Sequence, residues 1–166
     1  MNYSGKKASF YTLGCKLNFA ETSSIARRLQ QVGFERVEFT DHADLVIINS
    51  CSVTAEGDKK TRNIIRQAVR KNPDAVVVVT GCYAQLHPES IQKIEGVDLI
   101  VGSDGKLSIP DYLGNLEKRG RVEVYVQKAR EFRNYFHAWS FGDRTRSFLK
   151  VQDGCDYYCT YCTIPF

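Results

Sequence analysis

The sequence has no apolar run approaching the ~20 residues that a bilayer-spanning helix requires. Its amino terminus, MNYSGKKASF, carries no apolar core of the kind that directs secretion. A cytoplasmic location without membrane contact is therefore expected. There is no phosphate-binding P-loop, no complete G-x-G-x-x-G fingerprint and no Ser-His-Asp set. Use of nucleoside triphosphates and nucleophilic hydrolysis are disfavoured accordingly. Histidine is scarce: His42, His87 and His137 stand apart in the chain, where surface or capping roles are expected rather than metal ligation. Internal repeats and low-complexity stretches are missing too. The charge balance, 23 basic against 19 acidic residues for a net +4, is too slight to argue for nucleic acid by itself.

What the 166 residues do contain is six cysteines. With 43% hydrophobic residues the chain suffices for one packed domain and the start of another. Without a secretory leader, and with strands and helices alternating, a disulfide framework is not needed; reduced thiolates for metal are the better use. Cys155, Cys159 and Cys162 form a C-x3-C-x2-C triplet in GCDYYCTYC, residues 154–162. Three thiolates are one short of the four that close a cuboidal iron–sulfur cluster, which leaves one iron open to another ligand. A structural zinc site is the weaker alternative, because it wants four protein ligands and only Cys159 and Cys162 have the paired spacing.

Hydrophobic patterning predicts an α/β fold. Strands are expected at 7–13 (KASFYTL), 44–49 (DLVIIN), 75–80 (AVVVVT) and 98–101 (DLIV), with a short extended piece at 34–39 and a last strand at 122–126. Helices are expected from a capping box of Asn18 and Glu21 to Val32, ended by Gly33, and over 56–71, 88–94 and 106–118. Continuous apolar runs such as AVVVVT indicate strands buried on both faces, as in an open, mostly parallel Rossmann- or flavodoxin-like three-layer sheet. This domain would end near residue 126. A polar, basic and aromatic linker is expected over 127–147, and a new strand at 148–152 running into the triplet.

Two stretches are basic. Lys59, Lys60, Arg62, Arg66, Arg70 and Lys71 form one, and 118–150 the other. Either would suit phosphates, although a solvated helix face and a polar linker explain them as well. Phe132, Tyr135, Phe136, Trp139 and Phe141 suit base stacking or, more simply, packing of the linker against its neighbours.

Each remaining cysteine follows a predicted core strand: Cys15 after FYTLG, Cys51 after VIINS and Cys82 after VVVTG. Parallel strands deliver their carboxyl ends to one edge, where open α/β sheets bind ligands. One buried cysteine after a strand means nothing. Three in such positions point to convergence. Gly14 and Gly81 would permit close backbone approach, while Asn18, Asn49 and Ser50 would either donate hydrogen bonds to sulfur or serve as turn and cap residues.

The triplet resembles the signature of radical S-adenosylmethionine (SAM) enzymes. The segments LGCKLN at 13–18, NSCSVTAEGDKKTR at 49–62, TGCYAQ ending at Gln85 and FLKVQDGCDYYCTYC at 148–162 together resemble the methylthiotransferase family with its MiaB, MtaB and RimO branches. GCKLN and SVTAEGDKKTR look most like the MtaB branch, which acts on N6-threonylcarbamoyladenosine next to the tRNA anticodon. The resemblance implies two 4Fe-4S clusters, one on Cys15, Cys51 and Cys82 and one on Cys155, Cys159 and Cys162. It implies SAM on the open iron of the second, with Tyr161 beside the adenine, although a tyrosine packed under a loop explains Tyr161 equally. Reductive cleavage of SAM and sulfur insertion at C2 of the adenine would follow. The implied partners are the tRNA anticodon stem-loop and an electron donor such as a flavodoxin or ferredoxin, and a monomer is expected. By the same resemblance, 1–126 is an amino-terminal cluster-binding domain and 148–166 the truncated start of a radical-SAM domain. The chain alone is then expected to be inactive. A stand-alone cluster or sulfur-carrier module, a zinc module, and a methylthiotransferase acting on another tRNA adenosine or a ribosomal protein are the alternatives.

Overall fold

The computed structural model describes residues 2–52, 55–128, 131–132, 135–141, 145–152 and 154–162. Residues 53–54 of the SVTAEGDKKTR run, parts of the 127–147 linker, residue 153 and residues 163–166 lie outside them. A six-stranded sheet runs in the order β2-β1-β3-β4-β5-β6. The strands are β1 (Lys7–Thr12), β2 (Glu35–Val37), β3 (Leu45–Ser50), β4 (Val76–Gly81), β5 (Leu99–Val101) and β6 (Glu123–Tyr125). Every pairing is parallel.

Every residue of β3 and β4 is buried, and alternate side chains feed two cores. Leu45, Ile47, Val76 and Val78 join Ile25 and Leu29 of α1 (Lys16–Gln31) on one face. Val46, Ile48, Val77 and Val79 join Ile65 and Ala68 of α2 (Ala55–Lys71) on the other. That two-sided cover is what allows a run such as VVVV to be a strand interior. Lys59, Lys60, Arg66, Arg70 and Lys71 lie on the exposed side of α2.

Helix α1 closes as its sequence predicts. Gly33 takes φ +105°, its N–H reaches the Gln30 carbonyl and the Phe34 N–H reaches that of Leu29. This double bond pattern needs the left-handed residue that glycine supplies. Its start differs from expectation: Cys15 is the N-cap residue, and neither Asn18 nor Glu21 caps. Asn18 is buried and bonds elsewhere, and Glu21 points to two lysines, so tertiary partners replace the capping box.

Three further differences have local causes. The residues after β4 do not form a loop: α3 (Cys82–Leu86) begins at Cys82 itself, followed by α4 (Pro88–Gln92). The helix expected over 106–118 shortens to a 3-10 turn, Lys106–Ser108, and α5 (Ile109–Tyr112). Gly114 and Leu116 both take φ +57°, which no helix continues through, and Lys118 is drawn away to Asp98 at 2.9 Å. Finally, the new strand expected over 148–152 is reduced to one bridged residue. Leu149 makes a single antiparallel bridge to Trp139, so this part of the chain folds back on the linker.

No helix among the described residues is long and apolar enough to cross a membrane. His42, His87 and His137 are all exposed; His87 stands between α3 and α4, and His137 meets the Tyr135 ring edge-on.

Candidate cluster-binding edge

Strand order reverses direction at β1: β2 lies on one side of it and β3 on the other. Outside the carboxyl ends of strands at such a switch point, connecting loops diverge and leave a crevice. Cys15 follows β1 and Cys51 follows β3, so they flank this point, and Cys82 follows the neighbouring β4. The three sequence-expected residues thus share one edge on adjacent strands. All three are free thiols; Cys15 is exposed, Cys51 and Cys82 half-buried.

Two glycines permit the approach. Gly14 takes φ +101°, and a Cβ there would stand 2.8 Å from both Cβ and Sγ of Cys51. Gly81 takes φ +96°, ψ −169°, a region that glycine alone occupies comfortably. A Cβ there would lie 2.3 Å from the Ser50 carbonyl oxygen.

A buried polar network holds the edge. The Asn18 amide donates to the carbonyls of Leu13 (2.7 Å) and Ser50 (3.1 Å), joining the loops that carry Cys15 and Cys51. Asn49 donates to the Asn18 carbonyl (2.9 Å) and to Thr22 Oγ1 (3.1 Å). Ser50 Oγ donates to the Thr80 carbonyl and accepts from the Ala84 N–H, tying β3 to the α3 start where Cys82 sits. Asn18 and Asn49 therefore brace the backbone; of the polar residues suggested as donors to sulfur, Asn18 alone comes near one, its Oδ1 3.9 Å from Cys15 Sγ. Asn49 Oδ1 is buried and, among the described residues, without a hydrogen-bond partner.

Charge converges as well. Burial pushes the Cys82 thiol above its ordinary range; Lys106 pulls it down, while Cys51, Glu21 and Cys15 push it further up. Cys51 and Cys15 are thus both near enough for their charge to act on Cys82. The three thiols are not drawn together as ligands of a single ion: among the described residues no three His, Cys, Asp or Glu side chains are so placed.

Cys155, Cys159 and Cys162 lie on a separate stretch. The Cys162 N–H bonds the Cys159 carbonyl at 3.1 Å, and the Cys159 N–H that of Tyr157 at 2.7 Å. Tyr161 is 90% exposed and packs under no loop among the described residues.

One group escaped sequence reasoning. Glu21, on α1, is 4% exposed and binds Lys106 Nζ at 2.5 Å and Lys150 Nζ at 3.1 Å, both lysines being buried. No spacing in the sequence links residues 21, 106 and 150. The only local hint is that α1 runs through the small, buried Ala20, Thr22, Ser23 and Ser24, which lets other chain segments come close.

The family described as "Uncharacterized protein family UPF0004" matches residues 7–102. Among curated proteins, the chain is 44% identical over 161 residues to the threonylcarbamoyladenosine tRNA methylthiotransferase MtaB of Bacillus subtilis, covering 95% of this chain and 36% of that protein. It is 43% identical over 165 residues to the protein of the same name from Aquifex aeolicus, covering 96% and 40%. A tRNA-2-methylthio-N(6)-dimethylallyladenosine synthase of Lawsonia intracellularis is 33% identical over 170 residues, covering 93% and 36%. The chain thus spans little more than a third of these relatives' length.

Proposed function

Since the chain belongs to family UPF0004, we propose that it is the amino-terminal part of a tRNA methylthiotransferase, acting on N6-threonylcarbamoyladenosine beside the anticodon. The observation that carries this reading is the placement of Cys15, Cys51 and Cys82 together at the switch-point edge. In this proposal those three thiolates hold one 4Fe-4S cluster, and Cys155, Cys159 and Cys162 a second, at which SAM binds beside Tyr161.

The donor set fits. Free thiolates are the soft ligands such clusters take, and three on each side leave one iron open. The missing side chain at Gly14 lets the backbone pass close to Cys51, and that at Gly81 lets the ends of β3 and β4 close up. When bound, the clusters and SAM would supply the one-electron and sulfur-transfer chemistry. The chain's own share is to ligate, to hold the thiols in register through Asn18 and Ser50, and to keep water from the sheet side. Residues 1–126, 127–147 and 148–166 would serve as cluster domain, linker and start of the SAM-binding domain. The family match to residue 102 and the last sheet strand at Tyr125 support that division. An electron donor of flavodoxin or ferredoxin type and a monomeric state belong to the same proposal.

Anaerobic reconstitution with iron and sulfide tests it. About eight irons per chain are expected, falling to about four in Cys15→Ala, Cys51→Ala or Cys82→Ala and likewise in Cys159→Ala. Zinc uptake without iron, or iron content indifferent to the first three substitutions, would overturn the reading.

A further inference from the structure

Glu21 lies at the meeting of three chain segments that are far apart in sequence. One carboxylate serves two buried ammonium groups, so the trio carries one positive charge in excess. Buried charges of this kind persist only where geometry and hydrogen bonds compensate their desolvation. Lys150 is the member that matters most, because it belongs to the segment leading into Cys155.

That segment is seated on α1 by several contacts around the trio. The Ser140 N–H bonds the Phe148 carbonyl and the Lys150 N–H bonds the Ala138 carbonyl, making a short antiparallel ladder. Ser24 Oγ accepts from the Trp139 N–H at 3.1 Å, and Arg27 donates to the Trp139 carbonyl at 2.6 Å with its guanidinium 4.5 Å above the indole. Phe148 meets Phe19 edge-on, one helical turn from Cys15. A small cavity lined by Glu21, Lys106, Phe136, Ala138 and Lys150 remains where the ladder crosses α1. Yet Leu149 and Val151, on either side of Lys150, are 68% and 80% exposed. Apolar burial therefore does little to hold this end of the ladder, and the buried ion pair does more.

We infer that Glu21 is a positioning residue: through Lys150 it latches the root of the C-x3-C-x2-C loop to the cysteine-bearing edge of the sheet and so sets the separation of the two thiolate sets. Four residues separate Lys150 from Cys155, so five steps of chain link them, a reach of at most about 18 Å when extended. Lys106, the other partner of Glu21, is near enough to Cys82 for its charge to act on that thiol. The latch is thus tied to the first set through Lys106 and to the second through the chain from Lys150. Its relevance to cluster spacing rests on the function proposed above; the latch itself does not.

The test uses the chain's single tryptophan, Trp139, as reporter. In Glu21→Gln and in Lys150→Ala, acrylamide quenching of Trp139 should rise about twofold or more. Amide exchange at 138–140 and 148–150 should speed up about tenfold or more, with β3 and β4 unchanged in Lys150→Ala. Lys150→Ala leaves a balanced Glu21–Lys106 pair, so it decides the matter if Glu21→Gln does not fold. In protein loaded with both clusters, the dipolar coupling between them should broaden in either variant. Unchanged quenching and exchange in Lys150→Ala would overturn the latch, and an unaltered coupling would overturn its part in setting the separation of the thiolate sets. A parent protein that takes up only zinc would sink the cluster reading instead, and leave the quenching and exchange results to judge the latch alone.

Discussion

Replacing Gly81 with alanine should cost about 2–6 kcal/mol of folding stability, from two contributions that can be separated. The first is conformational: φ +96° with ψ −169° lies where a Cβ is penalised, for about 1–3 kcal/mol. The second is steric. The new Cβ would fall 2.3 Å from the Ser50 carbonyl oxygen, 2.6 Å from the Ser50 nitrogen and 2.5 Å from Asn49 Oδ1. Two of those atoms are backbone of a fully buried strand, so they cannot swing aside. The final β3–β4 pair, Ser50 opposite Gly81, must open instead, at about 1–3 kcal/mol for overpacking with a ladder bond weakened. Urea denaturation followed by circular dichroism should show the midpoint falling by about 1–3 M at an unchanged slope. Gly5→Ala is the control: φ is +82° but nothing lies within 4 Å, so only the conformational part, about 1–2 kcal/mol, should appear. If Gly81→Ala lost no more than Gly5→Ala, the close approach of the two strand ends would not be constraining, and the account of the edge would be wrong.

Gly14→Ala should behave differently, since its Cβ meets a side chain, the Cβ and Sγ of Cys51 at 2.8 Å; iron taken up at the first site should fall while β-sheet dichroism is retained. Asn18→Ala strips the Leu13 and Ser50 carbonyls of a buried donor and should cost about 2–4 kcal/mol by thermal melting. The Glu21 carboxyl is pushed up by burial but pulled further down by Lys106 and Lys150, to a net value below its ordinary 4.5. Its contribution is therefore complete above pH 4.5 and lost as pH falls through the lowered value; urea midpoints below pH 4.5 should drop more steeply in the parent than in Glu21→Gln. At neutral pH the same substitution, by taking from two buried lysines the carboxylate they share, should lower stability by about 3–5 kcal/mol in the same titration.

Runs such as LVIINS and VVVVTG, the helix stop at Gly33 and the place of each cysteine after a strand follow from local chemistry: burial on both faces, a backbone angle only glycine takes readily, and the direction of parallel strands. These determine the α/β class and put Cys15, Cys51 and Cys82 on the same edge. Local chemistry does not say that β3 crosses to the far side of β1, which is what makes that edge a switch point. Nor does it separate Glu21 as a cap from Glu21 as a buried anion, because the same residue serves either role and the choice depends on lysines 85 and 129 positions away. The helix over 106–118 fails for a related reason: Asp98 draws Lys118 and Arg119 into tertiary bonds that outweigh one or two turns of helix propensity. The sequence determined which residues could meet at the sheet edge; the tertiary structure decided which charges would be buried beside them, since compensation of a buried charge depends on distance in space and leaves no period in the chain.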